Sequence, residues 1–312
     1  MRVAVVGAGQ MGSIYGAAAH ENGHEVWFID ASQPIVDEIN SRGLRIDRRD
    51  GQTAVYQIAA TTDPGSTGCV ADVVLIMVKG WATRSAAERM APMVGAQTRV
   101  LTLQNGLGNE EILSQIFPDR PILIGLSVHT VITIGVAHYS HTGVRDTYLG
   151  PSRGEDLEGA RGVASTFERA NFPVHVLPEA EIRREQWAKF VLNCASLPTM
   201  GLTRLPTAHA GDVPEVFRHM DEVTRETCEI ARAEGIELDT EERVAFQHEL
   251  FRTAGGRASM LGDVLGKRRT EVDTINGAAI MYADKHALAA PLNRALFALV
   301  KGLERSFELG EP

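Results

Sequence analysis

The sequence predicts an α/β domain built on a parallel sheet, followed by an all-α C-terminal domain. Three observations predict it. A glycine-rich loop at Gly7–Gly12 separates a strand-like run from a helical one. Short apolar runs and helical patterns alternate through the first half, as strands and crossover helices do. From Glu179 onward the pattern is helical almost throughout. The expected division is residues 1–178 and 179–312.

The elements follow in order. Arg2–Gly7 reads as a buried strand, with a helix from Gln10 to Glu21 after it. Glu25–Ile29 is a second strand and Pro34–Asn40 a second helix. Asp50-Gly51 marks a hairpin turn between Leu44–Ile46 and Ala54–Ile58. Val73–Val78, Arg99–Leu103 and Ile122–Gly125 read as strands, with helices at Ser85–Met90 and Glu110–Phe117 between them. Residues 126–176 carry β-branched and aromatic residues with glycine turns. They are expected to add strands that close the same sheet, with one helix before the short run Pro173–Leu177. In the second half, Trp187, Phe190, Val191 and Cys194 fall at helical spacing, as do Val223, Ile230 and Ala231. Pro206, Pro214, Pro291 and Gly255-Gly256 mark breaks.

Composition narrows the function. At 312 residues the chain has room for two cores. Hydrophobic residues at 44% and charged residues at 23% are usual for a soluble globular protein. A net charge of -9 disfavours nucleic acid and anionic membranes as partners but not a small anionic substrate. Cys69, Cys194 and Cys228 form no paired motif, which fits a reducing compartment. No signal peptide is expected before the first strand, and no apolar run approaches the ~20 residues of a membrane span. A cytoplasmic protein is expected, with a homodimer as its possible assembly. The histidines suggest no metal set: His138 and His141 are three apart in a strand and point to opposite faces, and His20 and His24 flank Gly23.

Gly7-Ala8-Gly9-Gln10-Met11-Gly12 is a GxGxxG that follows a strand and opens a helix, and Asp30 ends the next strand. That context is the dinucleotide fingerprint of a Rossmann-type domain. Gly7, Gly9 and Gly12 allow the turn and the close approach of a pyrophosphate. The helix start at Gln10 and Met11 turns amide donors and a positive dipole end toward it. Asp30 can accept hydrogen bonds from ribose hydroxyls, and Ala31, Ser32 and Gln33 offer no cation for a 2′-phosphate. NAD is therefore the expected cofactor, with NADP a second possibility. A purely local role for Asp30, capping the next helix, is the alternative.

Further polar groups stand at strand ends: Lys79 after Val73–Val78, and Asn105 in Gln104-Asn105-Gly106-Leu107-Gly108. In the helical half, Lys189 and Asn193 are four residues apart, on one face of a helix, and their neighbours Phe190, Val191 and Cys194 are apolar. Ser259-Met260-Leu261-Gly262-Asp263 and the run Thr270 to Gly277, TEVDTING, complete the set.

With these motifs in this order, the chain resembles the ketopantoate reductase (2-dehydropantoate 2-reductase) family over nearly its whole length. The resemblance implies NAD(P)H-dependent reduction of a 2-oxo acid to a 2-hydroxy acid. It implies Lys189 as general acid, with Glu271 as the carboxylate that positions it. Asn193 and Ser259 are then substrate contacts, and Asn105 and Lys79 lie near nicotinamide and substrate. The residue types suit the reaction, because a carbonyl gaining hydride needs a cation and a proton donor at its oxygen.

Departures from the family pattern are equally specific. Leu197 and Gly256 stand where members commonly carry asparagine, which makes Leu197 an apolar substrate contact. Asp30 replaces a basic residue typical of NADP-using members. These features raise a second reading, an NAD-dependent dehydrogenase of branched or aromatic D-2-hydroxy acids. A 3-hydroxyacid dehydrogenase would carry a glycine-rich stretch before its lysine, and Pro178–Gln186 has none. A non-catalytic NAD-binding regulator would not need Lys189, Asn193, Ser259 and Glu271 together.

Overall fold

The computed structural model describes residues 1–169, 172–253 and 258–309. The chain divides into two compact units: Met1–Gln104 with Asn109–Ile182, and Asn105–Gly108 with Arg183–Pro312.

The first unit contains β1 (Arg2–Val6), α1 (Gln10–Glu21), β2 (Glu25–Ile29), α2 (Gln33–Arg42), β3 (Leu44–Asp47), β4 (Thr53–Tyr56), β5 (Ala59–Thr61) and β6 (Ala71–Ile76). It continues with α3 (Thr83–Arg89), β7 (Val94–Thr102), α4 (Asn109–Ile116), β8 (Ile122–Ser127), β9 (Thr130–Gly135), β10 (His138–Gly143), β11 (Thr147–Pro151), α5 (Leu157–Phe167) and β12 (Val174–Val176). The main sheet runs β12-β11-β8-β7-β6-β1-β2-β5. Only the β8–β11 pair is antiparallel. Its central strands are buried on both faces, which their unbroken apolar runs require. Val3 and Val5 share a cluster with Ile14, Tyr15 and Ala18 of α1. The alternate residues Ala4 and Val6 share another with Met90 and Leu113. β1 lies between β2 and β6, where the strand order reverses. Ligands of such sheets bind outside the strand C-termini at that point.

Residues 126–176 do not all close this sheet, contrary to the sequence expectation. β9 and β10 pair as an antiparallel ribbon, and β10 runs parallel to β3 in a separate sheet of order β4-β3-β10-β9. β8 is buried along its whole length, whereas β9 is mostly exposed. A strand solvated on one face cannot sit inside a doubly covered sheet. The hairpin around Asp50-Gly51 is present and supplies β3 and β4 to this second sheet.

The second unit is helical: α6 (Glu179–Thr203) from Arg183 on, α7 (Pro214–Ala233), α8 (Thr240–Thr253), α9 (Ser259–Leu265), α10 (Asn276–Lys285) and α11 (Pro291–Leu309). Pro214 and Pro291 open helices, where a missing N–H costs nothing. The Gly255-Gly256 break lies outside the described residues. Trp187, Phe190, Val191 and Cys194 are all buried in one core with Met220, Val223 and Ile230. α6 continues straight through Pro198. Proline there withholds the N–H that the Cys194 carbonyl would otherwise receive. Among the described residues no helix is long and apolar enough to cross a membrane.

Candidate active site

The glycine loop is held by its neighbours on every side. Gly7 N–H donates to the Ile29 carbonyl at 2.8 Å, and Met77 N–H to the Val6 carbonyl at 2.8 Å, so the ends of β1, β2 and β6 meet. Gly7 has φ of 100°, and a Cβ there would lie 3.0 Å from the Met77 carbonyl carbon. A Cβ on Gly12 would come within 1.9 Å of the Gly7 carbonyl oxygen. Those two glycines are required by the protein itself. Gly9, which caps α1, is different: a Cβ on it would meet nothing within 4 Å. Its bareness serves no contact of the chain and leaves room beside the start of a twelve-residue helix. That arrangement fits a pyrophosphate. Gln10 is exposed and Met11 half-buried at the same end.

Asp30 does two things at once. Its carboxylate accepts from Ala8 N–H at 2.7 Å and from Ser32 N–H at 2.8 Å, fixing the glycine loop to the end of β2. An ionised carboxylate has about four acceptor sites, so capacity for ribose hydroxyls remains. The Ala8 carbonyl is held as well, accepting from Tyr139 Oη at 2.7 Å and Ser13 Oγ at 2.9 Å. The second sheet thus reaches the loop through Tyr139, whose hydroxyl burial pushes up to about 12. Sequence reasoning missed this contact, which spans 131 positions of the chain.

Lys79 is half-buried at the start of a short 3-10 turn after β6. Buried Gln104 donates to the Val78 carbonyl at 2.6 Å and to Thr83 Oγ1 at 2.8 Å, and so pins that segment to the end of β7. His138 bonds Asp47 and His141 bonds His129. Burial pushes His129 down to about 4. These histidines are taken up within the second sheet and its neighbours.

The helical unit carries the other candidates. Half-buried Asn105 lies in a loop stitched to the TEVDTING segment, because Leu107 N–H donates to the Thr274 carbonyl at 3.0 Å. Gly106, at φ 82°, could carry no side chain there, since a Cβ would lie 2.1 Å from that carbonyl oxygen. Lys189, Asn193 and Leu197 follow one face of α6; Asn193 and Leu197 are each 8% exposed. Lys189 as a whole keeps some exposure, but its ammonium is withdrawn from water. That burial pulls it down from 10.5 to about 8, and the charge of buried Glu271 opposes the fall.

The remaining polar residues of TEVDTING serve the fold. Thr270 donates to Glu304 through its amide and its hydroxyl, and Asp273 pairs with Arg269 and Lys301. Asn276 donates to the Cys194 carbonyl at 3.1 Å. Asp263 of the SMLGD motif is buried and paired with Arg268 at 3.1 Å. Ser259 is exposed at the first position of α9. Gly256 and Arg257 lie outside the described residues.

Known proteins supply the name for this combination. The family Ketopantoate reductase PanE/ApbA matches residues 3–154, and its C-terminal domain matches residues 181–304. A 2-dehydropantoate 2-reductase of Pyrococcus horikoshii is 33% identical over 97% of this chain and 98% of its own. The crystal structure of a PanE/ApbA family ketopantoate reductase from Ralstonia eutropha JMP134 covers 99% of this chain and 100% of its own, at 29% identity and a TM-score of 0.89. A D-mandelate dehydrogenase solved with NADH and anilino(oxo)acetate covers 99% of this chain and 100% of its own, at 25% identity and a TM-score of 0.93. The chain belongs to the ketopantoate reductase family and is an NAD(P)H-dependent oxidoreductase that reduces a 2-oxo acid to a 2-hydroxy acid.

Proposed function

We propose that the first unit holds NADH in preference to NADPH, and that the helical unit supplies the acid that completes reduction of the 2-oxo acid. The observation that carries this reading is Lys189, an ammonium pulled to about 8 by burial in the presence of Glu271. A general acid works best with a pKa near the operating pH.

The bound dihydronicotinamide supplies the hydride. Gly7, Gly9, Gly12 and the amides at Gln10 and Met11 would seat the pyrophosphate, Asp30 would take the ribose hydroxyls, and Lys79 and Asn105 would serve the nicotinamide and substrate. Lys189 donates its proton to the keto oxygen, so that the product carries a hydroxyl. Glu271 keeps Lys189 charged and oriented. Asn193 and Ser259 grip the substrate. Lys189→Ala tests this: NADH affinity should stay nearly unchanged while kcat falls by about 10²–10⁴-fold. A variant that keeps more than about a tenth of the wild-type rate would remove Lys189 from the role.

A second reading concerns the side chain of the 2-oxo acid. Leu197 extends the face of Lys189 and Asn193 with an apolar group. Thr199 spends its hydroxyl proton on the Ala195 carbonyl at 2.7 Å. The similarity to D-mandelate dehydrogenase, seen with NADH and an aromatic oxo acid, favours the same direction. On this reading a branched or aromatic 2-oxo acid without a C4 hydroxyl is reduced at least as well as ketopantoate. Preference for ketopantoate by about a hundredfold over every unhydroxylated analogue would overturn it, since a site built for a hydroxyl rejects acids lacking one.

A further inference from the structure

We propose that Asn276 is a positioning residue, clasping the helix that carries Lys189 to the loop that carries Glu271; the inference rests on the reading of those two residues given above.

The need for a clasp begins at Pro198. Position 198 cannot donate to the Cys194 carbonyl, one helical turn back. That carbonyl lies in a fully buried stretch, with Cys194 and Ala195 at 0% exposure. Asn276 Nδ2 donates to it at 3.1 Å and to Asn293 Oδ1 at 2.9 Å. Asn293 is fixed in turn by its amide and side-chain bonds to Glu226, both 2.9 Å, and by Thr227 Oγ1 at 3.1 Å. Both asparagines are fully buried. The Oδ1 of Asn276 takes no hydrogen bond. The residue is therefore held for its two N–H donors, which leucine or aspartate cannot supply.

Each end of the clasp is close along the chain to one member of the charged pair. Cys194 follows Asn193 directly and is five residues beyond Lys189 in α6. On the other side, Thr274 N–H and Ile275 N–H both donate to the Glu271 carbonyl at 3.1 Å, and Gly277 N–H to the Val272 carbonyl at 2.9 Å. The six residues from Glu271 to Asn276 are thereby folded into one hydrogen-bonded turn. A displacement of the Asn276 end moves the carboxylate that opposes the fall in the Lys189 pKa.

Two roles for Asn276 must be separated. It could only satisfy an orphaned carbonyl, or it could also tie two elements together. Pro198→Ala distinguishes them, because alanine restores the N–H to Cys194 without restoring the tie. Asn276→Leu is expected to lower kcat about ten- to a hundredfold, the scale of a misplaced catalytic group. NADH affinity should stay unchanged, and the isotope effect on kcat with deuterated NADH should grow. The double variant Asn276→Leu/Pro198→Ala should regain thermal stability yet keep the low kcat, and it remains informative if the single variant does not fold. Pro198→Ala alone, with the clasp intact, should work within about twofold of wild type. Recovery of wild-type kcat in the double variant, or an unaffected kcat in Asn276→Leu, would overturn the proposal. Lys189→Ala assayed alongside separates the two failures, since an active Lys189→Ala overturns the reading of the site instead.

Discussion

Replacing Glu271 by glutamine removes a charge and almost no volume, and the consequence for pH dependence has a definite sign. Lys189 stands at about 8 because burial lowers it while Glu271 raises it. Without the carboxylate only the lowering cause remains, so the ammonium loses its proton at lower pH. An opposite charge close by is worth about one to three pH units. A general acid acts only while protonated, so reduction should fall as pH rises through the Lys189 pKa. In the wild type the fall in kcat should be centred near pH 8. In Glu271→Gln it should be centred about one to three pH units lower, which at neutral pH is a loss of about twofold at the small end and nearly a hundredfold at the large end. The assay is NADH oxidation at saturating keto acid across the pH range. Any contact between Glu271 and the substrate would lower the height of the profile, whereas the charge effect moves its position. A fall that stays in place or shifts to higher pH would refute the reasoning.

Three further outcomes can be checked. Asp30→Arg should move the ratio of catalytic efficiencies toward NADPH, because a phosphate beside a carboxylate costs on the order of 1–4 kcal/mol. It should also weaken both cofactors, since Ala8 and Ser32 lose the acceptor that fixes their amides; equal efficiencies in the wild type would contradict it. Gly9→Ala should leave the thermal midpoint unchanged, as its Cβ meets no protein atom within 4 Å, while NADH Kd rises about tenfold or more; an unaltered Kd would show that no ligand packs there. Leu197→Asn should shift the kcat/KM ratio toward ketopantoate over 2-oxoisovalerate, and a ratio that does not move would detach Leu197 from the substrate.

The glycine loop, Asp30 and the Lys189 helix were legible in the sequence because each is a local pattern. Strand, loop and helix stand in one run of 20 residues, and Lys189 with Asn193 needs only one turn of helix. What stayed hidden was pairing at long range. TVITIG and HYSHTG read correctly as strands, but β-propensity does not say which sheet a strand joins. That choice depends on β3, some 90 residues earlier, so the second sheet and its Tyr139 contact to Ala8 could not be foreseen. Pro198 was a usable signal. A proline inside a buried helix orphans the carbonyl four residues before it, and a donor must come from elsewhere. The sequence does not single out Asn276 among the buried polar residues that could provide one.

Holding Lys189 as a buried ammonium carries an energetic cost. A fall from 10.5 to about 8 corresponds, at about 1.4 kcal/mol per pH unit, to about 3 kcal/mol against the charged form. For a lysine lowered in the folded state, the unfolded chain binds the extra proton between those two values. The cost to folding is therefore full below about pH 8 and relieved as pH rises toward 10.5. With Lys189 as the proposed acid, that cost falls in the pH range where an acid is useful. A site that keeps an ammonium withdrawn from water needs its surroundings fixed by other means, or the helix would turn the charge out to solvent. The Trp187–Phe190–Cys194 core holds the helix of Lys189, and the Thr270–Glu304 bonds and the Asp273 ion pairs hold the segment that carries Glu271. Within TEVDTING the side chains of Thr270, Asp273 and Asn276 are committed to that work, and Glu271 is the carboxylate whose charge acts on Lys189.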